Sequence, residues 1–124
     1  MKILIVEDSM FVQNMTRRVV TDHYPDVEVI VASNGETGYR LYEEHRPDLI
    51  LTDLLMPGLS GQELLQKIRE TDADTKVIVI SADVQKATRD EIEQLGIQGF
   101  VNKPVTGEKA ELLVRLIAEA RHAE

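Results

Sequence analysis

The chain contains no cysteine, which excludes disulfides, thiolate chemistry and zinc–cysteine centres and suits a reducing compartment. It also lacks a long apolar run. The first such stretch, Ile3 to Val6, is cut off by Glu7 and Asp8, far short of a membrane span or a signal-peptide core. Basic residues are in deficit: 14 Lys and Arg stand against 22 Asp and Glu, a formal net charge of −8. That balance repels a phosphate backbone and disfavours direct nucleic-acid binding. There is no Gly-x-x-x-x-Gly-Lys loop, and no Gly-x-Gly-x-x-Gly follows the first apolar run, which argues against nucleoside-triphosphate or dinucleotide binding. His23, His45 and His122 have no partner ligands at metal spacing and read as surface residues. These absences predict a cytoplasmic protein with neither a membrane nor a nucleic-acid partner.

What is present is globular. With 124 residues, 43% hydrophobic and 29% charged, the chain has the size and composition of one compact domain over residues 1–124. Its ends lie close to the first and last elements, which favours a stand-alone protein over an excised piece of a longer chain. Five short apolar runs recur: Ile3 to Val6, Val27 to Val31, Asp48 to Leu51, Val77 to Ile80 and Gly99 to Val101. The first, third and fourth are unbroken aliphatic blocks, the pattern of parallel strands covered on both faces. Glu28 interrupts the second and Gly99 weakens the fifth, which assigns both to sheet edges.

Between the runs, apolar residues recur three or four apart, as in Phe11-Met15-Val19, Leu64-Leu65-Ile68 and Leu113-Leu116-Ile117-Ala120, and predict one-sided helices. Ser33 to Glu36 and Ser60 to Glu63 carry the Ser-x-x-Glu pattern of a reciprocal helix cap. Strict alternation of strand and helix predicts a doubly wound, five-stranded parallel α/β sheet with helices on both faces and strand order 2-1-3-4-5.

In such a sheet, ligands bind beyond the carboxyl ends of the strands, at the point where strand order reverses. Glu7 and Asp8 follow the first strand, Asp53 the third, Ser81 the fourth, and Lys103 and Pro104 the fifth. Crowded carboxylates persist only with a compensating cation or retained protons. All-oxygen ligation beside a phosphate is the preference of Mg²⁺, for which Mn²⁺ can substitute. Lys103 is placed to pair with Asp53 at rest or with a phosphoryl oxygen later, and Ser81 to donate to another oxygen. The set describes a phosphoryl-transfer site.

These residues resemble the receiver domain of two-component response regulators, most nearly the stand-alone chemotaxis-type (CheY-like) receivers. The resemblance spans essentially the whole chain. It is carried by Ile-Val-Glu7-Asp8, by Leu-Ile-Leu-Thr-Asp53-Leu-Leu-Met-Pro-Gly, by Gly61, by Ser81-Ala82 and by Phe-Val-Asn-Lys103-Pro104. It implies a flavodoxin-like fold and a signalling role without an external turnover substrate. Asp53 would take a phosphoryl group from a sensor histidine kinase or a small acyl phosphate. Mg²⁺ would be held by Asp8, Asp53 and the backbone carbonyl of Leu55, with Glu7 acting mainly through water. The resemblance further implies that Ser81 moves onto the phosphoryl group and that Phe100 rotates inward. The surface read by a downstream protein target would then be the fourth helix, fifth strand and fifth helix, residues 84–120. Pro104 matches the family's cis proline. Leu55 and Asp83 occupy positions that tune hydrolysis in the family, and Leu55 cannot orient a water.

Plainer readings exist for single residues. Asp8 could cap the first helix, Ser81 the fourth, and Phe100 could be core packing. Two other functions compete. A haloacid-dehalogenase-like phosphatase needs a second acid two residues beyond the nucleophile, where Leu55 stands. A non-phosphorylated docking pseudo-receiver commonly loses the acidic pair or the lysine, and both are retained.

Overall fold

The computed structural model describes residues 1–82 and 84–122. Asp83, one of the two hydrolysis-tuning positions, lies outside the described residues. The elements run β1 (Lys2–Val6), α1 (Met10–His23), β2 (Glu28–Ala32), α2 (Gly35–His45), β3 (Leu49–Thr52), α3 (Gly61–Arg69), β4 (Lys76–Ser81), α4 (Lys86–Gln94), β5 (Gly99–Asn102) and α5 (Glu108–His122). All four strand pairings are parallel, in the order β2-β1-β3-β4-β5. Among the described residues, no helix is long and apolar enough to cross a membrane.

Strand alternation divides the core in two. Ile3, Ile5, Leu49, Leu51, Ile78 and Ile80 face one side, packing on Val20 of α1 and Leu113, Leu116 and Ile117 of α5. Leu4, Val6, Ile50, Val77 and Val79 face the other, against Tyr42 of α2, Leu64, Leu65 and Ile68 of α3 and Ile92 of α4. The central strands are buried on both faces from Ile3 onward, while β2 and β5 are only partly covered. This is why the central strands read as unbroken aliphatic blocks and the edges tolerate Glu28 and Gly99.

Two helix expectations are corrected. The buried residues of α1 are Gln13, Thr16 and Val20, not the predicted stripe Phe11-Met15-Val19. Phe11 is 73% exposed, and Phe11, Met15 and Val19 instead line an open groove of about 490 Å³ together with Val105. The N-terminal half of α1 lies over the polar strand ends, where hydrogen-bonding side chains fit better than aliphatic ones. The Ser33–Glu36 cap does not form either. Asn34 caps α2 by accepting from the Thr37 amide at 2.8 Å, Ser33 accepts from Gln13, and the Glu36 carboxylate accepts from the Leu59 amide at 2.8 Å. At α3 the expected reciprocal cap is present, with Ser60 and Glu63 each accepting from the other's amide.

Gly58 and Gly61 shape the segment after Asp53 for different reasons. Gly58 has φ +73°, a left-handed conformation that favours glycine. Gly61 is required by contact: a Cβ there would lie 1.8 Å from the Asp53 carbonyl oxygen. Its absence lets the start of α3 press against the backbone that carries Asp53.

At the opposite end of the sheet, Asp72 organises the turn into β4. Its carboxylate accepts from the Tyr42 hydroxyl at 2.6 Å, from the Asp74 and Thr75 amides at 2.9 and 3.0 Å, and from the Thr75 hydroxyl. Burial alone would raise its pKa, but the Thr75 and Tyr42 hydroxyls and the two amides hold it well below the usual carboxylate range. A carboxyl depressed on folding stabilises the native state above its unfolded value and loses that contribution as pH falls toward its folded value. Asp72→Ala is therefore expected to lower stability by about 2 kcal/mol at neutral pH. In urea melts the gap to the parent should narrow below about pH 4; a gap independent of pH would contradict this role.

Candidate functional site

Sheet register builds the site. Val6 pairs with Thr52 across β1 and β3, so Glu7 and Asp53 emerge side by side. The Asp53 amide donates to the Val6 carbonyl at 3.0 Å, and the Glu7 amide to the Ala32 carbonyl at 3.0 Å. Ser81 pairs with Asn102 across β4 and β5, and the Lys103 amide donates to the Ser81 carbonyl at 2.9 Å. Four strand ends thus converge on one point. The Lys103–Pro104 peptide bond is cis.

Each side-chain oxygen of Asp53 is held separately. Oδ1 accepts from Ser81 Oγ at 2.7 Å and from the Leu54 amide at 2.7 Å, with the Leu55 amide farther away at 3.4 Å. Oδ2 accepts from Lys103 Nζ at 2.9 Å. The same ammonium lies 2.7 Å from Glu7 Oε1. Asp53, Glu7 and Ser81 are only 5, 3 and 0% exposed, whereas Asp8 is exposed.

Ser81 therefore does not cap α4, whose N-cap Gln85 makes no side-chain cap bond. Asp8 does not cap α1 either, because Ser9 does, accepting from the Val12 amide at 3.3 Å. Glu7 is buried in an ion pair with Lys103. Phe100 is half-buried against the Ile92 side of the core, with the Arg89 guanidinium 4.8 Å from its ring centroid.

The electrostatics are unbalanced. Glu7, Asp8 and Asp53 each offer a carboxylate oxygen, all within 4.8 Å of one another. Lys103 is paired to two of these acids. Three carboxylates and one ammonium sum to a formal charge of −2. Burial pushes the Glu7 pKa up, helped by the charge on Asp53 and opposed by its bonds to Lys103 and the Ser9 amide. Burial would lower the Lys103 pKa, but hydrogen bonds to Glu7 and Asp53 outweigh it and the pKa rises. The two shifts differ in origin: burial, helped by the Asp53 charge, raises Glu7, whereas the negative charge of Glu7 and Asp53 supports the ammonium. A divalent cation among these three acids would cancel the surplus, and an all-oxygen donor set of this kind suits Mg²⁺.

The structure brings together Glu7, Asp8, Asp53, Ser81 and Lys103. It leaves Leu55 beside them, 71% exposed, and Phe100 two residues before Asn102 within β5. The sequence reading missed Gln13, whose side-chain amide donates to the Glu7 carbonyl at 2.5 Å and to Ser33 Oγ at 3.1 Å. Its only signal was a polar residue inside the α1 pattern.

Comparison with known proteins agrees with this geometry. The response regulator receiver domain family matches residues 3–116. The chemotaxis protein CheY of Listeria monocytogenes is 34% identical over 110 residues, covering 88% of this chain and 91% of that protein. CheY of Bacillus subtilis is 32% identical over 108 residues, covering 87% and 89%. The crystal structure of the N-terminal domain of an uncharacterized protein from Wolinella succinogenes superposes with a TM-score of 0.88 at 36% identity, covering 99% of this chain and 95% of that one. With the acidic cluster, the shared lysine and the β2-β1-β3-β4-β5 sheet in place, the chain belongs to the response regulator receiver domain family and is CheY-like.

Proposed function

We propose that the chain, acting over residues 1–124 as one cytoplasmic unit, accepts a phosphoryl group on Asp53 from a sensor histidine kinase and thereby changes a protein-binding surface. The observation that carries this reading is the suspension of Asp53 between Lys103 on one oxygen and Ser81 on the other. A carboxylate held that way is oriented in advance for in-line attack, and a cation is already at hand for the charge that develops.

In the transfer, an Asp53 oxygen forms a new P–O bond while the donor's P–N bond, or the P–O bond of an acyl phosphate, breaks. The bonding electrons leave with the imidazole or the carboxylate. Lys103 then passes from the Asp53 carboxylate to a phosphoryl oxygen, while Glu7 retains the other side of its ammonium. Ser81 Oγ leaves Oδ1 and donates to a second phosphoryl oxygen. Mg²⁺, or Mn²⁺ in its place, held by Asp8, Asp53 and the Leu55 carbonyl with Glu7 nearby, would neutralise charge on the transferring group.

Output follows from Ser81. Its withdrawal opens space beneath β4 and β5 for Phe100 to turn inward, which would uncover Arg89 and reshape the surface of residues 84–120 for a downstream protein. Input is supported by the surroundings of the site. Met10, Phe11 and Leu55, at 72, 73 and 71% exposed, are large apolar side chains left in solvent on the segments that follow β1 and β3. They suit docking of a donor protein over Asp53.

Incubation with acetyl phosphate and Mg²⁺ should add one phosphoryl group to the intact mass of the parent and none to Asp53→Ala. An unchanged parent mass would defeat the receiver reading. Asp53→Asn, which removes one of three crowded charges while keeping an acceptor for Ser81, is expected to raise stability without Mg²⁺ by about 1 kcal/mol. Denaturant melts showing a less stable apo variant would contradict the charge surplus.

A further inference from the structure

Gln13 and Thr16 are buried polar residues on the inner face of α1, and Gln13 reaches the acidic turn without a part in the proposed transfer. Gln13 is 9% exposed. A Met or Leu would fill the same volume, so the amide must be explained by what it bonds. Its Nε2 donates to the Glu7 backbone carbonyl at 2.5 Å and to Ser33 Oγ at 3.1 Å.

The carbonyl of Glu7 and the amide of Asp8 belong to one planar peptide unit. Holding that carbonyl fixes the tilt of the plane, and with it the direction in which the Asp8 Cα–Cβ bond leaves the chain. The remainder of the turn is pinned from other sides. The Glu7 amide donates to the Ala32 carbonyl at 3.0 Å, the Glu7 side chain accepts from the Ser9 amide at 3.0 Å, and Ser9 caps α1. Asp8 is the exposed member of the three acids, so its own side chain is the least constrained. Its approach to within 4.8 Å of Glu7 and Asp53 depends on the backbone that presents it.

We infer that Gln13 is a positioning residue for the divalent cation, locking the Glu7–Asp8 peptide so that the Asp8 carboxylate faces Glu7 and Asp53, with Ser33 of the β2–α2 connection holding Gln13 in place. This inference rests on the receiver reading of the site. Supporting partners of this kind are commonly worth tenfold or more in metal affinity.

The test is calorimetric titration of Mg²⁺ into the parent, Gln13→Met and Ser33→Ala, beside apo melts of each and Mg²⁺-dependence of phosphorylation by acetyl phosphate. Gln13→Met, which keeps the volume and removes the donor, should bind Mg²⁺ about tenfold more weakly. The Mg²⁺ concentration for half-maximal phosphorylation should rise by a similar factor, while the rate at saturating Mg²⁺ stays near that of the parent. Should Gln13→Met fail to fold, Ser33→Ala decides: affinity about twofold weaker is expected, and parent-like affinity overturns the inference. Lower apo stability with unchanged Mg²⁺ affinity in Gln13→Met would make the residue merely structural and also overturn it. A parent that binds no Mg²⁺ would instead remove the receiver reading itself, and this inference with it.

Discussion

One ammonium shared between two acids organises this molecule. Lys103 reaches from the end of β5 to Glu7 beyond β1 and to Asp53 beyond β3, joining β5 to two strands that are not its neighbours in the sheet. Partly buried ion pairs contribute little net stability when desolvation is counted. Their value here is arrangement: the lysine sets where each carboxylate points and leaves a deficit of positive charge for a further cation to fill. The fold serves this contact. Parallel strands place their carboxyl ends on one edge, and the 2-1-3-4-5 order sets the acidic ends of β1 and β3 side by side, with Ser81 following at the end of β4.

The same constraint links input to output on the proposed reading. Ser81 is fully buried and bonded to Asp53, and its strand is paired with the one that carries Phe100 and leads into Lys103. Any group that takes Ser81 from Asp53 therefore acts on β4 and β5 together. The aromatic ring of Phe100 is bracketed from outside by Arg89, which is itself tied to Glu93 at 3.2 Å. An inward turn of the ring would give up that contact and leave the Arg89 guanidinium held by Glu93 on α4.

Much of this was legible in the sequence, for physical reasons. Strands buried on both faces must be aliphatic throughout, so Ile3 to Val6 and Val77 to Ile80 declare themselves. The polar residues that end them are conspicuous because nothing structural requires an acid or a lysine there. What could not be read depends on partners remote in the chain. Glu7 and Asp8 are alike as letters, yet one is buried and one exposed because only Glu7 meets Lys103. Ser33 and Asn34 are both competent caps, and the choice falls to Asn34 because Gln13 claims Ser33. The polar residues Gln13 and Thr16 disguised the buried face of α1, and the apolar stripe beside them, Phe11-Met15-Val19, lines a groove, with Val19 also packed at the core's edge.

The central claim is that the charge surplus around Asp53 exists to receive a phosphoryl group with a divalent cation. The most direct measurement is a crystal structure grown with Mg²⁺ and beryllofluoride, which mimics a phosphoryl group on a carboxylate. The account predicts the fluoride group on Asp53, Lys103 Nζ and Ser81 Oγ both turned onto its fluorine atoms, and Mg²⁺ between Asp8 and Asp53. Lys103 and Ser81 still bound to a bare Asp53 carboxylate, at Mg²⁺ and beryllofluoride concentrations that saturate solution binding, would contradict it.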